Sequence, residues 1–262
     1  MTAEPSARIL WTPSTAGTVW AGVTRAVRTP SDVEDTLTVT TLQSASPPVF
    51  NRNTGDKVFT SETMLGYEAG YRQLIHPLFS IDLTAFYNRY DHLLSSEPQP
   101  SYTDTSIGAA IFPFVNRNGV FGTTKGFELA ANWKPRNWWR IQGSYAWLDM
   151  NMKTRPDSLD LTTVATLQGS SPAHQVVIQS YIDLPGHFEF TQLFRNVTGL
   201  PAQHVTAYRT ADLRLGWRKW RAWELGITGR NLLQPHHAEF AGDPGPLVGI
   251  QRSVAADITW RR

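Results

Sequence analysis

The 262-residue sequence contains no cysteine, which excludes a disulfide scaffold and any thiolate metal site but leaves the redox compartment open. It has no apolar run near the roughly 18 residues that a transmembrane helix needs. It has no excess of either charge: 24 basic residues stand against 22 acidic ones, for a net +2, so nothing resembles the basic footprint of a nucleic-acid binder. The opening MTAEPSARILWTP lacks a basic stretch followed by an apolar one, and no signal peptide is expected from it. The motifs G-x-S-x-G, H-E-x-x-H, the Walker loop and the dinucleotide fingerprint are all missing. No segment shows a convincing 3.6-residue apolar period, so almost no helix is expected.

Aromatic residues are plentiful, with 10 Trp, 8 Tyr and 12 Phe. So is strict alternation. In YRTADLRLGWRKW (208–220) the apolar positions Ala211, Leu213, Leu215 and Trp217 interleave with Thr210, Asp212, Arg214 and Gly216. Period 2 means a strand with one apolar and one polar face. The same pattern gives about eleven strands, at 7–13, 18–28, 62–75, 79–94, 114–133, 139–150, 174–184, 187–197, 208–217, 222–233 and 248–261.

The connections fall into two classes. STAG (14–17), HPL (76–78), KPRN (134–137), PG (185–186) and RKWR (218–221) are hairpin-length turns, whereas 29–61, 95–113, 151–173, 198–207 and 234–247 are long and polar. Antiparallel neighbours place every short turn at one end and every long loop at the other. That is the build of an outer-membrane barrel, with short periplasmic turns and long extracellular loops.

The side chains sort the same way. Leu65, Tyr67, Ala69 and Tyr71 share one face with Ile81, Leu83, Ala85, Tyr87, Phe127, Leu129, Ala131 and Trp133, and with Val254, Ala256, Ile258 and Trp260. Glu68, Arg72, Asp82, Asn88, Glu128, Arg140 and Asp257 lie on the other. The second strand fits either register. Trp133, Trp139, Trp217, Trp220, Trp223 and Trp260 gather near the short turns, and Tyr87, Tyr145 and Trp147 toward the long loops. Two aromatic belts flanking an aliphatic band are what lipid interfaces select. The expected fold is therefore all-β, an antiparallel up-and-down transmembrane barrel segment that puts its apolar face against lipid and its polar face against a wet lumen.

Candidate chemistry is sparse. His236 and His237 are adjacent in a long loop, where an extended chain points them apart and a surface position is the expected one. Ser171 and His174 have no identifiable acid partner, so no hydrolase triad is expected. No enzyme, cofactor or metal site is expected. If the ninth and tenth strands pair across RKWR, Asp212 faces Thr228 diagonal to Arg230, and Arg214 faces Gly226 diagonal to Glu224. Such charges brace a polar wall without binding anything.

The chain also resembles the C-terminal half of the β-barrel of TonB-dependent outer-membrane receptors. The resemblance lies in WAGVTRAVRTPSDVE (20–34), SETMLGYEAGYR (61–72), IDLTAFYNRYDHL (81–93), TTKGFELAANWKPRNWWRIQGSYAWLD (123–149), SSPAHQVVIQSYIDLPGHFEF (170–190), YRTADLRLGW (208–217), LGITGRNLLQPHHAEF (225–240) and DITW (257–260). It implies a barrel of about 22 strands with a plugged lumen, of which 1–262 would be a partial barrel domain lacking the plug and the TonB box. Residues 29–61 would be an extracellular loop. The partners implied are outer-membrane lipid, the TonB complex in the full-length receptor, and a small-molecule nutrient, a ferric siderophore or similar iron chelate, with cobalamin as another candidate. Position alone nominates Arg28, Asn88 and His236 as substrate contacts. The sequence departs from the family at its end, with Arg262 standing where an aromatic is expected. Two other readings compete: a passive porin-type barrel, and a soluble all-β binding module that would hide its tryptophans.

Overall fold

A computed structural model describes residues 3–220, 222–241 and 247–260, without the side chains of Lys219 and Trp220. Arg262, and the side chain of Trp220 in the expected aromatic belt, lie outside the described residues.

Eleven strands form one continuous antiparallel wall, in chain order. They are β1 (Ser6–Ser14), β2 (Gly17–Arg28), β3 (Glu62–His76), β4 (Phe79–Pro98), β5 (Ala109–Arg136), β6 (Trp139–Thr154), β7 (His174–Leu184), β8 (Phe188–Val197), β9 (Tyr208–Trp220), β10 (Trp223–Arg230) and β11 (Ser253–Trp260). Chain-order pairing follows from the connections, because a two- or three-residue turn forces its flanking strands to be neighbours. The tight turns close at Ser14/Gly17, His76/Phe79, Arg136/Trp139, Leu184/Phe188 and Trp220/Trp223. In the fourth of these, Gly186 and His187 both have positive φ, 78° and 68°, so a glycine at the first costs no Cβ strain. β1 and β11 are left as open edges.

The faces are sorted as the alternation predicts. Tyr67 pairs with Tyr87, Ala69 with Ala85, Leu83 with Leu129, and Phe127 with Trp147 on the outer face. Arg72 pairs with Asp82, and Asn132 with Gln142, on the inner one. The ambiguous second strand is settled by Val19 pairing with Tyr71 and Val23 with Tyr67. Trp20 therefore points inward, lying where a Cβ on Gly70 would be. Arg8 covers its ring at 4.6 Å.

Among the described residues nothing packs on the outer face. Leu129 is 38% exposed and Ile258 69% exposed, and the buried apolar residues among those described lie at the long-loop end, including Phe59, Ile111, Val120 and Leu200. The accessible surface is 17045 Å², against about 11,500 Å² for a globular monomer of this mass. An open wall exposes both of its faces and its two edges, and Trp133, Trp223 and Trp260 stand exposed on it, so nothing here supports a module that hides its tryptophans. No helix of the described residues is long and apolar enough to cross a membrane; the crossing elements are strands.

Both aromatic belts form. Near the short turns, Trp133 lies 6.3 Å from Trp139, Phe188 6.0 Å from Trp217, and Trp223 6.4 Å from Trp260, centroid to centroid. The indoles of Trp139 and Trp217 donate to Ser180 Oγ and the Gly186 carbonyl at 3.0 and 3.1 Å. Toward the long loops, Tyr67 faces Tyr87 at 6.5 Å and Phe127 faces Trp147 at 5.8 Å.

Three expectations need correction. First, the long loops are not irregular throughout. Residues 29–61 hold a short helix (Asp32–Asp35) and a hairpin, Thr38–Ala45 with Pro48–Thr54. The hairpin's second strand lies parallel to Ala110–Val115 of β5. Tyr102–Asp104 also pairs with β5, and a helix at Thr163–Gly169 sits between β6 and β7. β5 runs 28 residues, about 90 Å of extended chain, whereas a crossing strand needs only about ten residues. The surplus rises past the wall and carries the loops.

Second, β9 and β10 pair two residues further along than expected: Arg214 faces Thr228, and Gly216 faces Gly226. Trp220 and Trp223 pair directly, with a bulge before them, and this resets the register. Arg214 still reaches Glu224 at 2.9 Å, but Asp212 pairs with Arg195 at 3.5 Å instead of Arg230. Third, residues 249–251 leave the last strand and pair with His236–Ala238.

Candidate functional site

The inner face carries the polar side chains along its whole height. Glu68, Thr84, Phe86 and Asn88 border a depression of about 500 Å³, and a second of about 560 Å³ lies beside it against Trp20, Arg72 and Asp82. Asn88 donates to Thr124 Oγ1 at 3.1 Å.

Arg28, at the end of β2, is held on both sides. Its Nε lies 2.6 Å from Glu62 of β3, and its Nη1 lies 2.8 Å from Glu34 of the loop helix. Burial pushes the Glu34 carboxyl up, but the Ser31 amide and the Arg28 guanidinium outweigh it and hold it below the usual carboxylate range. Arg28 therefore fastens loop 29–61 to the wall. Other pairs do the same: Arg117 binds Asp56, and Arg155 binds Asp91. Asp160 accepts from the Ser96 amide at 2.7 Å and from the amides of Thr162 and Thr163 at 2.8 and 2.9 Å. It ties the loop after β6 to β4. Burial alone would raise the Asp160 pKa, but these donors hold it down.

The sequence nominated His236. The structure leaves it exposed on its hairpin and buries His237 instead, 6% exposed. His237 stacks on Tyr208 at 4.4 Å and meets Glu239 at 3.1 Å. Glu239 reaches Arg195 at 3.5 Å, Arg195 reaches Asp212 at 3.5 Å, and Asp212 accepts the Asn231 amide at 2.8 Å. Within this network His237 Nδ1, Arg195 Nε and Asn231 Oδ1 are buried without a hydrogen-bond partner. Period 2 already put Asp212 on the inner face. What it could not show is that a three-residue strand turns His237 onto Tyr208. Arg28 and Asn88 thus share the inner face, Arg28 across from Glu62 and Asn88 across from Gly66 of β3. His236 lies beyond β10 and touches neither.

Among the described residues no group of three or more His, Asp or Glu could hold a metal ion. The site's chemistry is that of hydrogen bonding and charge on a broad wall.

Comparison with known proteins gives the context. The profile of the TonB dependent receptor-like β-barrel family matches residues 3–232. No curated protein sequence matches. Among solved structures, the siderophore receptor PirA from Acinetobacter baumannii superposes with a TM-score of 0.69 at 15% identity, covering 98% of this chain and 40% of that one. A mutant of the ferric enterobactin receptor PfeA from Pseudomonas aeruginosa gives 0.68 at 15%, with the same coverage. The copper transporter OprC gives 0.67 at 15%, again covering 98% and 40%. The chain therefore spans about 40% of the length of the structures it matches. These are receptors and transporters rather than enzymes. With its eleven-strand wall, lipid-type outer face and family match over most of its length, the chain belongs to the TonB-dependent receptor β-barrel family.

Proposed function

We propose that this chain forms one side of the wall of an outer-membrane receptor that takes up a scarce nutrient, with a ferric chelate as the substrate class, and that residues 1–262 make a partial barrel domain of that receptor. The observation that carries the reading is the outer face: apolar, unpartnered and belted by aromatics at both ends. It places the polar face on a lumen. Depressions of about 500 and 560 Å³ on that face are of the size that receives small molecules. The ferric substrate is supported by the siderophore and ferric enterobactin receptors among the structures it resembles. Substrate contacts fall to the lumen-facing Arg28 and Asn88 and to the loop residue His236, with the unpartnered donors and acceptors around His237 beside them.

The test is uptake of radiolabelled ferric enterobactin by cells carrying the receptor that contains this wall. Uptake is expected to stop when a proton uncoupler is added, and Asn88→Ala is expected to reduce binding. Uptake indifferent to the uncoupler, with steady ion conductance in planar bilayers, would replace this reading by that of a diffusion porin.

A further inference from the structure

We propose that Glu128 is a specificity-determining contact of this wall, and that it selects ferric chelates carrying an alkylammonium group. The inference rests on the nutrient-receptor reading and names the charge that its substrate carries.

The two depressions of the inner face meet at Thr84 and Glu128, which line both. Register sets Glu128 between two small residues, Thr84 of β4 and Ala146 of β6. Glu128 is exposed, with no hydrogen-bond or ion-pair partner among the described residues. The carboxylates around it are occupied. Glu68 is met by Arg8 at 2.6 Å, Asp82 by Arg72 at 2.5 Å, and Glu62 by Arg28 at 2.6 Å. Charges that only brace the wall are paired as those are. Arg8 and Arg72 against Glu68, Asp82 and Glu128 leave one negative charge over, and it falls on Glu128.

An aromatic ring stands beside this carboxylate. Phe86 pairs with Gly126, one same-face step from Glu128, about 7 Å along β5. A Cβ on Gly126 would lie 2.7 Å from Phe86 Cζ, so the ring lies across the glycine and turns toward Glu128. A carboxylate next to an aromatic ring is the chemistry that holds an organic cation, by charge on one side and by the ring quadrupole on the other. A naked metal ion needs several ligands, and among the described residues no group of three His, Asp or Glu is close enough to supply them. The depressions, about 500 and 560 Å³, are of small-molecule size. The occupant is therefore the alkylammonium arm of a small chelate, whose iron lies away from the wall.

The experiment is equilibrium dialysis of iron-labelled chelates against the receptor that contains this wall, purified in neutral detergent. The probes are ferrioxamine B, a ferric hydroxamate chelate ending in a primary ammonium, and its N-acetylated form, which has the same iron centre without the charge. The ammonium form should bind about tenfold tighter, and salt should shrink the difference. Glu128→Gln should bring the two to one affinity. Asp183→Asn, on the same face at the short-turn end, should leave the preference intact. Glu128 is exposed and unpaired, so the variant keeps the wall, which strand circular dichroism verifies. Equal binding of the two forms by the parent, or a preference that survives Glu128→Gln, overturns the ammonium site and leaves the receptor reading standing. So does binding of ferric enterobactin with neither hydroxamate bound. Failure of all three chelates to bind overturns the ferric-chelate reading and this site with it.

Discussion

Leu129 and Ala130 are neighbours on β5, and exchanging each for arginine should separate the two faces. Leu129 sits on the outer face between Leu83 and Tyr145, and Ala130 on the inner face between Asp82 and Ser144. Leu129 lies four residues from Trp133 of one belt and four from Lys125 at the other boundary. At about 3.3 Å per residue and a tilt near 45°, it is roughly 9 Å from either boundary, close to mid-bilayer. An arginine there should cost about 2–4 kcal/mol. In detergent-free solution the same change should cost little, because none of the described residues packs over this side. Ala130→Arg should lie within about 0.5 kcal/mol of the parent, since it gains Asp82 as a neighbour. The assay is guanidinium unfolding of the chain in phosphatidylcholine vesicles, followed by tryptophan fluorescence. Equal costs, or the larger cost at Ala130, would refute the assignment of faces.

Further outcomes follow from the wall and its loops. Gly70→Leu should drive a side chain into the Trp20 indole and destabilise the wall by about 1–3 kcal/mol; adding Trp20→Ala should restore most of it, read from the same unfolding curves. Asp160→Ala removes the acceptor for three amides and should release loop 155–173 by about 2–3 kcal/mol, seen as faster hydrogen exchange at Thr162 and Thr163 with strand amides unchanged. Glu34, Asp56 and Asp160 all have pKa values lowered in the folded chain. Their contribution is therefore present above the unfolded carboxylate range and is lost as pH falls through the folded values. Loops 29–61 and 155–173 should loosen below about pH 4, before the strands, and hydrogen exchange between pH 6 and pH 3 measures the order.

The sequence carried the wall because alternation is a local property, and the tight turns forced neighbour pairing. It did not carry the loop hairpin at Thr38–Ala45 and Pro48–Thr54. Ser46 and the proline pair Pro47–Pro48 look like loop, and the pairing partner, Ala110–Val115 of β5, is distant in the chain. The β9–β10 register failed for a smaller reason: the turn closes at Trp220/Trp223 rather than across 218–221, and with the one-residue bulge between Trp217 and Trp220 the pairs end two residues along while the faces are kept. His236 was nominated and His237 turned out to be the buried one. Parity in a three-residue strand is undefined until its partner, Gly249–Gln251, is known. The network around His237 joins β8, β9 and the segment after β10, so no window of sequence contains it.

The count of eleven has a directional consequence. β1 runs toward the short turns, and, because the number is odd, β11 does too. Bending the wall until its edges meet would set two descending strands side by side, a parallel seam in an antiparallel sheet. Two copies joined edge to edge around a common axis would carry two such seams. Whatever completes the barrel antiparallel must present ascending strands at both of its own edges, and so must contain an odd number of strands. The even total found in bacterial barrels is then the sum of two odd halves, and this wall is by its direction unable to serve as its own complement.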